Sequence, residues 1–121
     1  MATIFHITKR EEWERAEQEG VYQAPSLATE GFIHCSQADQ VSRTANRLFS
    51  GQMGLVLLEI DTRQVKPEIR YENSEGGQEE FPHIYGALDL ESVVRVLTFE
   101  PGEDGSFQLP ESIKDPLKYT K

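Results

Sequence analysis

Hydrophobic and polar positions alternate along several short stretches of the chain, and this two-residue period is typical of strands that bury one face. Thr3 to Thr8 predicts the first strand, Gly31 to Ser36 a second, and Phe81 to Gly86 a later one. Leu55 to Ile60 is instead continuously apolar, which predicts a central strand buried on both faces. Val93 to Phe99 predicts a last strong strand.

Weaker extended segments follow from the same pattern. Val21 to Ala24 predicts a short extended piece, and Glu68 to Glu72 alternates charged and apolar residues like a half-exposed strand. Pro101 to Gly105 predicts a turn, so we expect Ser106 to Leu109 to return as the hairpin partner of the strand before it. Asn73 to Glu80 is the most loop-like segment, and its place before a predicted strand suits a lid.

The first helix is predicted by Thr8-Lys9-Arg10-Glu11, which has the form of a capping box, and it ends near Gly20. Its core face consists chiefly of Trp13 and Ala16. The second helix follows a weaker box over Ser36 to Asp39 and ends at Ser50-Gly51. Its apolar residues recur at helical spacing at Ala38, Val41, Ala45, Leu48 and Phe49.

Two main helices and roughly seven short strands, with helices early and strands late, predict an α+β fold with small sheets rather than a doubly wound parallel sheet. A chain of 121 residues predicts a single domain over 1–121. We expect its core to span about 3–109, with a tail over 110–121 that packs through Ile113, Leu117 and Tyr119. No glycine-rich phosphate loop of standard spacing is present.

The net charge of -9 argues against a general nucleic-acid or anionic-membrane partner, because phosphates are held mainly by clustered cations. A single cysteine cannot form an internal disulfide, and no apolar run approaches the ~20 residues that span a bilayer. The first residues enter a strand without the pattern of a signal peptide. These features predict a cytoplasmic protein.

All three histidines lie two residues before a hydroxyl-bearing residue within an apolar strand. Because side chains alternate along a strand, each histidine shares a face with its hydroxyl partner, and we expect these faces to converge on one ligand cleft. Phe32 and Phe81 share those faces and could stack on a flat ring, and a helix start nearby could receive an anion. The histidine pairs are His6 with Thr8, His34 with Ser36, and His83 with Tyr85.

Other interpretations of these residues remain open. A zinc triad is disfavoured because the histidines lack ligand spacing, and Cys35 as a nucleophile is disfavoured because His34 points to the opposite face of its strand. The hydroxyls could also be helix caps and the histidines core residues bonded to backbone carbonyls. Arg43 on the second helix would suit a phosphate, and Glu72 is the best-placed carboxylate for an acid, base or ribose-binding role.

Several motifs together resemble the bacterial domain-of-unknown-function family numbered nine-five-two. The resemblance covers nearly the whole chain up to about Phe99. That family is grouped by similarity with the ADP-ribosyltransferase-like superfamily, in which two small splayed sheets surround an NAD cleft. The motifs are Phe5-His6-Ile7-Thr8, Trp13, Glu30-Gly31-Phe32-Ile33-His34-Cys35-Ser36, Thr44-Ala45-Asn46-Arg47-Leu48-Phe49, Leu57-Leu58-Glu59-Ile60-Asp61, Arg70-Tyr71-Glu72 and Phe81-Pro82-His83-Ile84-Tyr85-Gly86.

The resemblance implies a role for each strand. His6 would hold the adenosine ribose, His34 with Ser36 would lie in the nicotinamide region, and the acidic position would fall on Glu72 or within Phe81 to Tyr85. The chain departs from the superfamily pattern in having Ile7 where a glycine is typical, no tyrosine on the second strand, and His83 where a glutamate is typical.

We therefore expect a protein that binds NAD or an ADP-ribose-like ligand and that could transfer ADP-ribose to an acceptor. The expected ligand contacts are His6, Thr8, Phe32, His34, Ser36, Arg43 and Phe81, and the expected reacting residues are His83, Glu72 and Tyr85. Two alternatives are a non-catalytic module that recognises a partner's phosphate or peptide, and a metal-dependent hydrolase that uses the three histidines.

Overall fold

The computed structural model describes residues 3–73 and 77–114. Its elements confirm the α+β class, with short antiparallel sheets and two main helices. In chain order they are β1 (Thr3–Lys9), α1 (Arg10–Glu19), β2 (Val21–Tyr22), α2 (Pro25–Thr29), β3 (Ile33–His34), α3 (Val41–Leu48), β4 (Leu55–Asp61), β5 (Ile69–Glu72), β6 (Phe81–Ile84), β7 (Leu88–Asp89), β8 (Val93–Phe99) and α4 (Glu111–Lys114).

The first sheet has the order β1-β4-β8, so β4 is its central strand, as its continuous apolar sequence predicts. Side chains from opposite faces of β4 enter two separate cores. Val56 and Leu58 pack with Trp13 of α1, whereas Leu55 and Leu57 pack with α3 and the segment after β8. The helices thus lie on opposite faces of this sheet.

The second sheet has the order β3-β6-β5, with both pairs antiparallel. Ile33 lies opposite Ile84 and both are fully buried in the core, so the neighbouring positions lie on the other face of this sheet. His34 lies opposite His83, which in turn lies opposite Arg70. Three polar side chains from three strands therefore stand side by side on one face. A two-stranded ribbon of β2 and β7 completes the strand pairing.

One pair of backbone hydrogen bonds joins the two three-stranded sheets. The Phe5 N–H donates to the Ser36 carbonyl at 2.8 Å, and the Ser36 N–H donates to the Phe5 carbonyl at 2.7 Å. Because the pairing does not continue as a regular ladder, the edges of β1 and β3 diverge from this point. The divergence leaves the cleft that holds the candidate site.

The predicted helix caps are wrong in detail. Helix α1 begins at Arg10, and Thr8 bonds to the carboxylate of Glu12 rather than capping with Glu11. The backbone of Ser36 pairs with β1. The capping box that precedes α3 therefore begins one residue later than predicted, at Gln37, whose N–H donates to Gln40 Oε1 at 2.9 Å. A 3-10 turn over Ala38–Gln40 then leads into α3.

Two further expectations fail. Ser106 to Leu109 does not form a strand; Phe107 instead stacks on Phe99, with ring centroids 4.8 Å apart, and its backbone bonds to Asn46 of α3. Leu48, expected in the core, is 55% exposed at the end of α3. Ile113 packs on the second core as predicted, whereas Leu117 and Tyr119 lie outside the described residues.

Within the described part of the chain, no helix is long and apolar enough to cross a membrane.

Candidate functional site

A cleft of about 300 Å³ opens where β1 and β3 diverge, with α3 on its far side. Apolar side chains such as Phe5, Ile7 and Phe49 form much of its wall, and a smaller number of polar groups interrupt them. Six of the residues expected to contact or act on a ligand line the cleft: His6, Thr8, His34, Ser36, Phe81 and His83. The convergence of the three histidine strands is therefore observed.

His6 is buried, and hydrogen bonds occupy both of its ring nitrogens. Nδ1 lies 2.5 Å from the His34 carbonyl oxygen, so this nitrogen carries a proton and donates it. Nε2 lies 2.8 Å from the Tyr22 hydroxyl. Burial lowers the pKa of His6 to about 4, although its bond to the His34 carbonyl opposes that effect. His6 is consequently a neutral structural link between β1, β2 and β3 near neutral pH.

A series of side-chain contacts extends from His6 to Glu12 of α1. Tyr22 Oη lies 2.9 Å from Thr8 Oγ1, and Thr8 Oγ1 lies 3.2 Å from Glu12 Oε1. Burial raises the pKa of the Tyr22 hydroxyl well above its usual value. Glu12 lines this cleft and also a second cavity beside α1. The series thus connects a buried imidazole with a carboxylate that faces two cavities.

His83 is the most buried of the three histidines, at 1% exposure. Its Nδ1 lies 2.9 Å from Oε1 of Glu72, and its ring stacks on Phe32 with centroids 4.2 Å apart. Nδ1–H donates to the carboxylate, and the hydrogen bonds of the described residues do not involve the other ring nitrogen, Nε2. His83 lines the cleft with this buried ring.

Glu72 and Tyr85 stand behind His83 on the polar face of the second sheet, outside the cleft lining. The Tyr85 hydroxyl donates to Glu72 Oε1 at 2.5 Å, and the Arg70 guanidinium lies 4.5 Å from the centre of the Tyr85 ring. The bonds from Tyr85 and His83 hold the pKa of Glu72 below its usual range. Glu72 is an ionised carboxylate that orients His83.

Other residues predicted to contact the ligand have partners within the protein. Phe32 stacks on His83 and is 9% exposed, so its ring is already occupied. Nε2 of His34 lies 3.1 Å from each carboxylate oxygen of Glu30. Arg43 does not line the cleft; its guanidinium forms a two-pronged ion pair with Glu79 on the exposed side of α3. Burial raises the pKa of the Cys35 thiol well above its usual value, which does not suit a nucleophile.

Six polar residues that line the cleft were not among the predicted ligand contacts: Lys9, Glu12, Tyr22, Ser26, Thr44 and Arg47. Tyr22 lies in a two-residue strand, too short for any periodicity to show which face it occupies. Arg47 is one helical turn from Arg43, and only the packing of α3 shows that Arg47 is the arginine on the cleft side. Over residues 3–73 and 77–114, no group of three or more histidine, cysteine, aspartate or glutamate side chains is placed to hold a metal ion.

The fold and the cleft define a small α+β protein in which two three-stranded antiparallel sheets meet along one edge and a ligand-sized hollow lies beside the junction. The sequence matches the family described as protein of unknown function (DUF952) over residues 7–96. The chain belongs to this family.

Solved structures of one Caulobacter crescentus protein, CC0527, share the fold. Its crystal structure is 32% identical to this chain, covers 93% of this chain and 99% of its own, and superposes with a TM-score of 0.83. The crystal structure of a double mutant gives the same values, and the solution NMR structure gives 34% identity, 90% and 94% coverage, and a TM-score of 0.79. No curated protein matches the chain.

Proposed function

We propose that the cleft binds a nucleotide of the NAD type, that is, NAD or an ADP-ribose-containing relative. The observation that carries this proposal is the meeting of two small sheets at the Phe5–Ser36 pair, with a histidine-lined hollow where their edges diverge. Two splayed sheets around a cleft are what the resemblance to the ADP-ribosyltransferase-like superfamily implies for an NAD site.

The lining suits such a ligand. Small-molecule sites are mostly apolar, with a few polar groups that fix orientation, and they start at about 300 Å³. A cleft of about 300 Å³ fits a nucleoside-sized half of a dinucleotide, which leaves the other half at the open mouth. Lys9 and Arg47 lie on the cleft walls and provide positive charge for phosphate in an otherwise acidic protein.

The geometry changes which residues we expect to contact the ribose. His6 has both nitrogens bonded within the protein, so we assign the ribose contact to Ser36 and His83 instead of the His6 ring. Ser36 has a polar side chain in the cleft wall, and His83 offers Nε2 as an acceptor for a ribose hydroxyl. In an ADP-ribosyl transfer, the same nitrogen would take the proton of the attacking acceptor, while Glu72 stabilises the imidazolium that forms.

Calorimetric titration with NAD and ADP-ribose tests binding, and chromatography of released nicotinamide tests turnover. Leu48→Glu places a negative charge at the cleft wall and should weaken binding at least tenfold. Val94→Glu is the matched control, because Val94 is exposed to a similar degree, 51% against 55%, but lies on the opposite edge strand of the first sheet. Absence of heat at millimolar NAD and ADP-ribose, or equal binding by both variants, would contradict the proposal.

A further inference from the structure

The contacts between His6, Tyr22, Thr8 and Glu12 require more protons than the residues supply near neutral pH. Three contacts join the four side chains, at 2.8, 2.9 and 3.2 Å. The Nδ1 proton of neutral His6 is already donated to the His34 carbonyl, so only the two hydroxyl protons remain when Glu12 is ionised. Two protons cannot make three hydrogen bonds, so one contact lacks a proton.

We propose that this network takes up one additional proton as the pH falls, and that His6 and Glu12 share it. We also propose that the network carries protons between the buried imidazole and solvent. One added proton satisfies all three contacts in either of two ways. With the proton on Glu12, the carboxyl donates to Thr8, Thr8 to Tyr22, and Tyr22 to His6 Nε2. With the proton on His6, each of these bonds reverses direction and Glu12 is a carboxylate.

The two states interconvert by three proton shifts that leave every heavy atom in place. The O–H bond of Glu12 breaks as one forms on Thr8, the original Thr8 proton moves to Tyr22, and the original Tyr22 proton moves to Nε2 of His6. A neutral acid and a neutral imidazole become a carboxylate and an imidazolium, so the total charge is unchanged. The inference requires no ligand and stands apart from the proposed nucleotide site.

The surroundings place the two ends of the network in different environments. His6 faces Tyr22 of β2 and His34 of β3, shares the cleft lining with Cys35, and is 8% exposed. Glu12 shares the cleft lining with Lys9 and Arg47, and the lining of the second cavity with Arg15 and Glu19 of its own helix. Only the Glu12 end meets open solvent in both cavities, which makes it the entry point for the proton.

Nuclear magnetic resonance tests the network through the imidazole nitrogen shifts of His6 and the carboxyl carbon shift of Glu12, followed from pH 7 to pH 3. We expect both signals to move over the same pH interval, because one proton is shared. Glu12→Gln removes the ionisable carboxyl group and should lower the midpoint of His6 by about one pH unit. Glu11→Gln, the same charge change on the neighbouring exposed residue, should leave that midpoint within a few tenths of a unit.

Tyr22→Phe and Thr8→Val each interrupt the network with little change in shape, and both should separate the titrations of His6 and Glu12. Tyr71→Phe, at an exposed tyrosine, is the control for Tyr22→Phe. If Tyr22→Phe does not fold, Thr8→Val and Glu12→Gln still decide the question. The proposal is overturned if the His6 midpoint is the same in the unaltered protein, Thr8→Val and Glu12→Gln.

Discussion

Oε1 of Glu72 accepts two hydrogen bonds at once, from Tyr85 at 2.5 Å and from Nδ1 of His83 at 2.9 Å. The three residues come from neighbouring strands of one sheet, and Glu72 pairs with Phe81 in the register that brings them together. This shared oxygen fixes the orientation of the buried imidazole.

Tyr85→Phe should raise the pKa of Glu72 towards its usual range, because the Tyr85 hydroxyl is the largest of the causes that lower it. The carboxyl carbon shift of Glu72, followed against pH, measures this change. Tyr71→Phe is the matched control, since Tyr71 is the exposed neighbour of Glu72 in the chain. A Glu72 midpoint that stays in place in Tyr85→Phe would show that the short contact is not a stabilising hydrogen bond.

The contribution of His6 to the free energy of unfolding should fall as the pH is lowered from 6.5 to 4. The unfolded chain binds a proton on His6 near pH 6.5, whereas burial lowers the folded pKa to about 4, so acid favours the unfolded state. The loss amounts to about 3 kcal/mol below pH 4. Urea denaturation at a series of pH values measures it.

The control for this pH dependence is His6→Gln, which lacks the titrating ring. Its stability should change less over the same pH interval, since one of the groups that respond to acid has been removed. Equal slopes for the two proteins between pH 6.5 and 4 would mean that the pKa of His6 is not lowered in the folded protein.

Phe107→Ala should destabilise the protein by about 3–5 kcal/mol, the range for emptying a buried aromatic site. Phe107 is 2% exposed and stacks on Phe99 at the end of β8, so the segment after the last strand of the first sheet belongs to the core. Leu109→Ala, at a half-buried neighbour in the same segment, should cost distinctly less. Chemical denaturation distinguishes the two, and a loss below 1 kcal/mol for Phe107→Ala would contradict the assignment.

Asn46→Ala should cost about 1–2 kcal/mol, because the Asn46 amide makes two hydrogen bonds with the backbone of Phe107. Its oxygen accepts the Phe107 N–H at 2.6 Å, and its nitrogen donates to the Phe107 carbonyl at 3.2 Å. Ser42→Ala on the same helix reports the gain in helix propensity alone. If the two variants are equally stable, the Asn46 bonds contribute nothing measurable.

The sequence by itself determined the positions of the long elements. Strand β8 was predicted with its observed bounds, and β1 and β4 within one residue, because their patterns are long enough to show a period. The same period placed each histidine on a face with its neighbouring hydroxyl, and the register of β3, β5 and β6 then set His34 and His83 side by side.

Only the tertiary structure decided which of these residues face the cleft and what each one bonds to. Thr8 follows the sequence rule for a helix cap, yet its hydroxyl bonds to Glu12 within α1 and accepts a hydrogen bond from Tyr22 of β2, a contact that depends on the tertiary fold. Arg43 and Arg47 look equivalent along α3, and the cleft lies against only one of them. Contacts between distant segments depend on which sheet edges meet, and local hydrophobic periodicity carries no information about that choice.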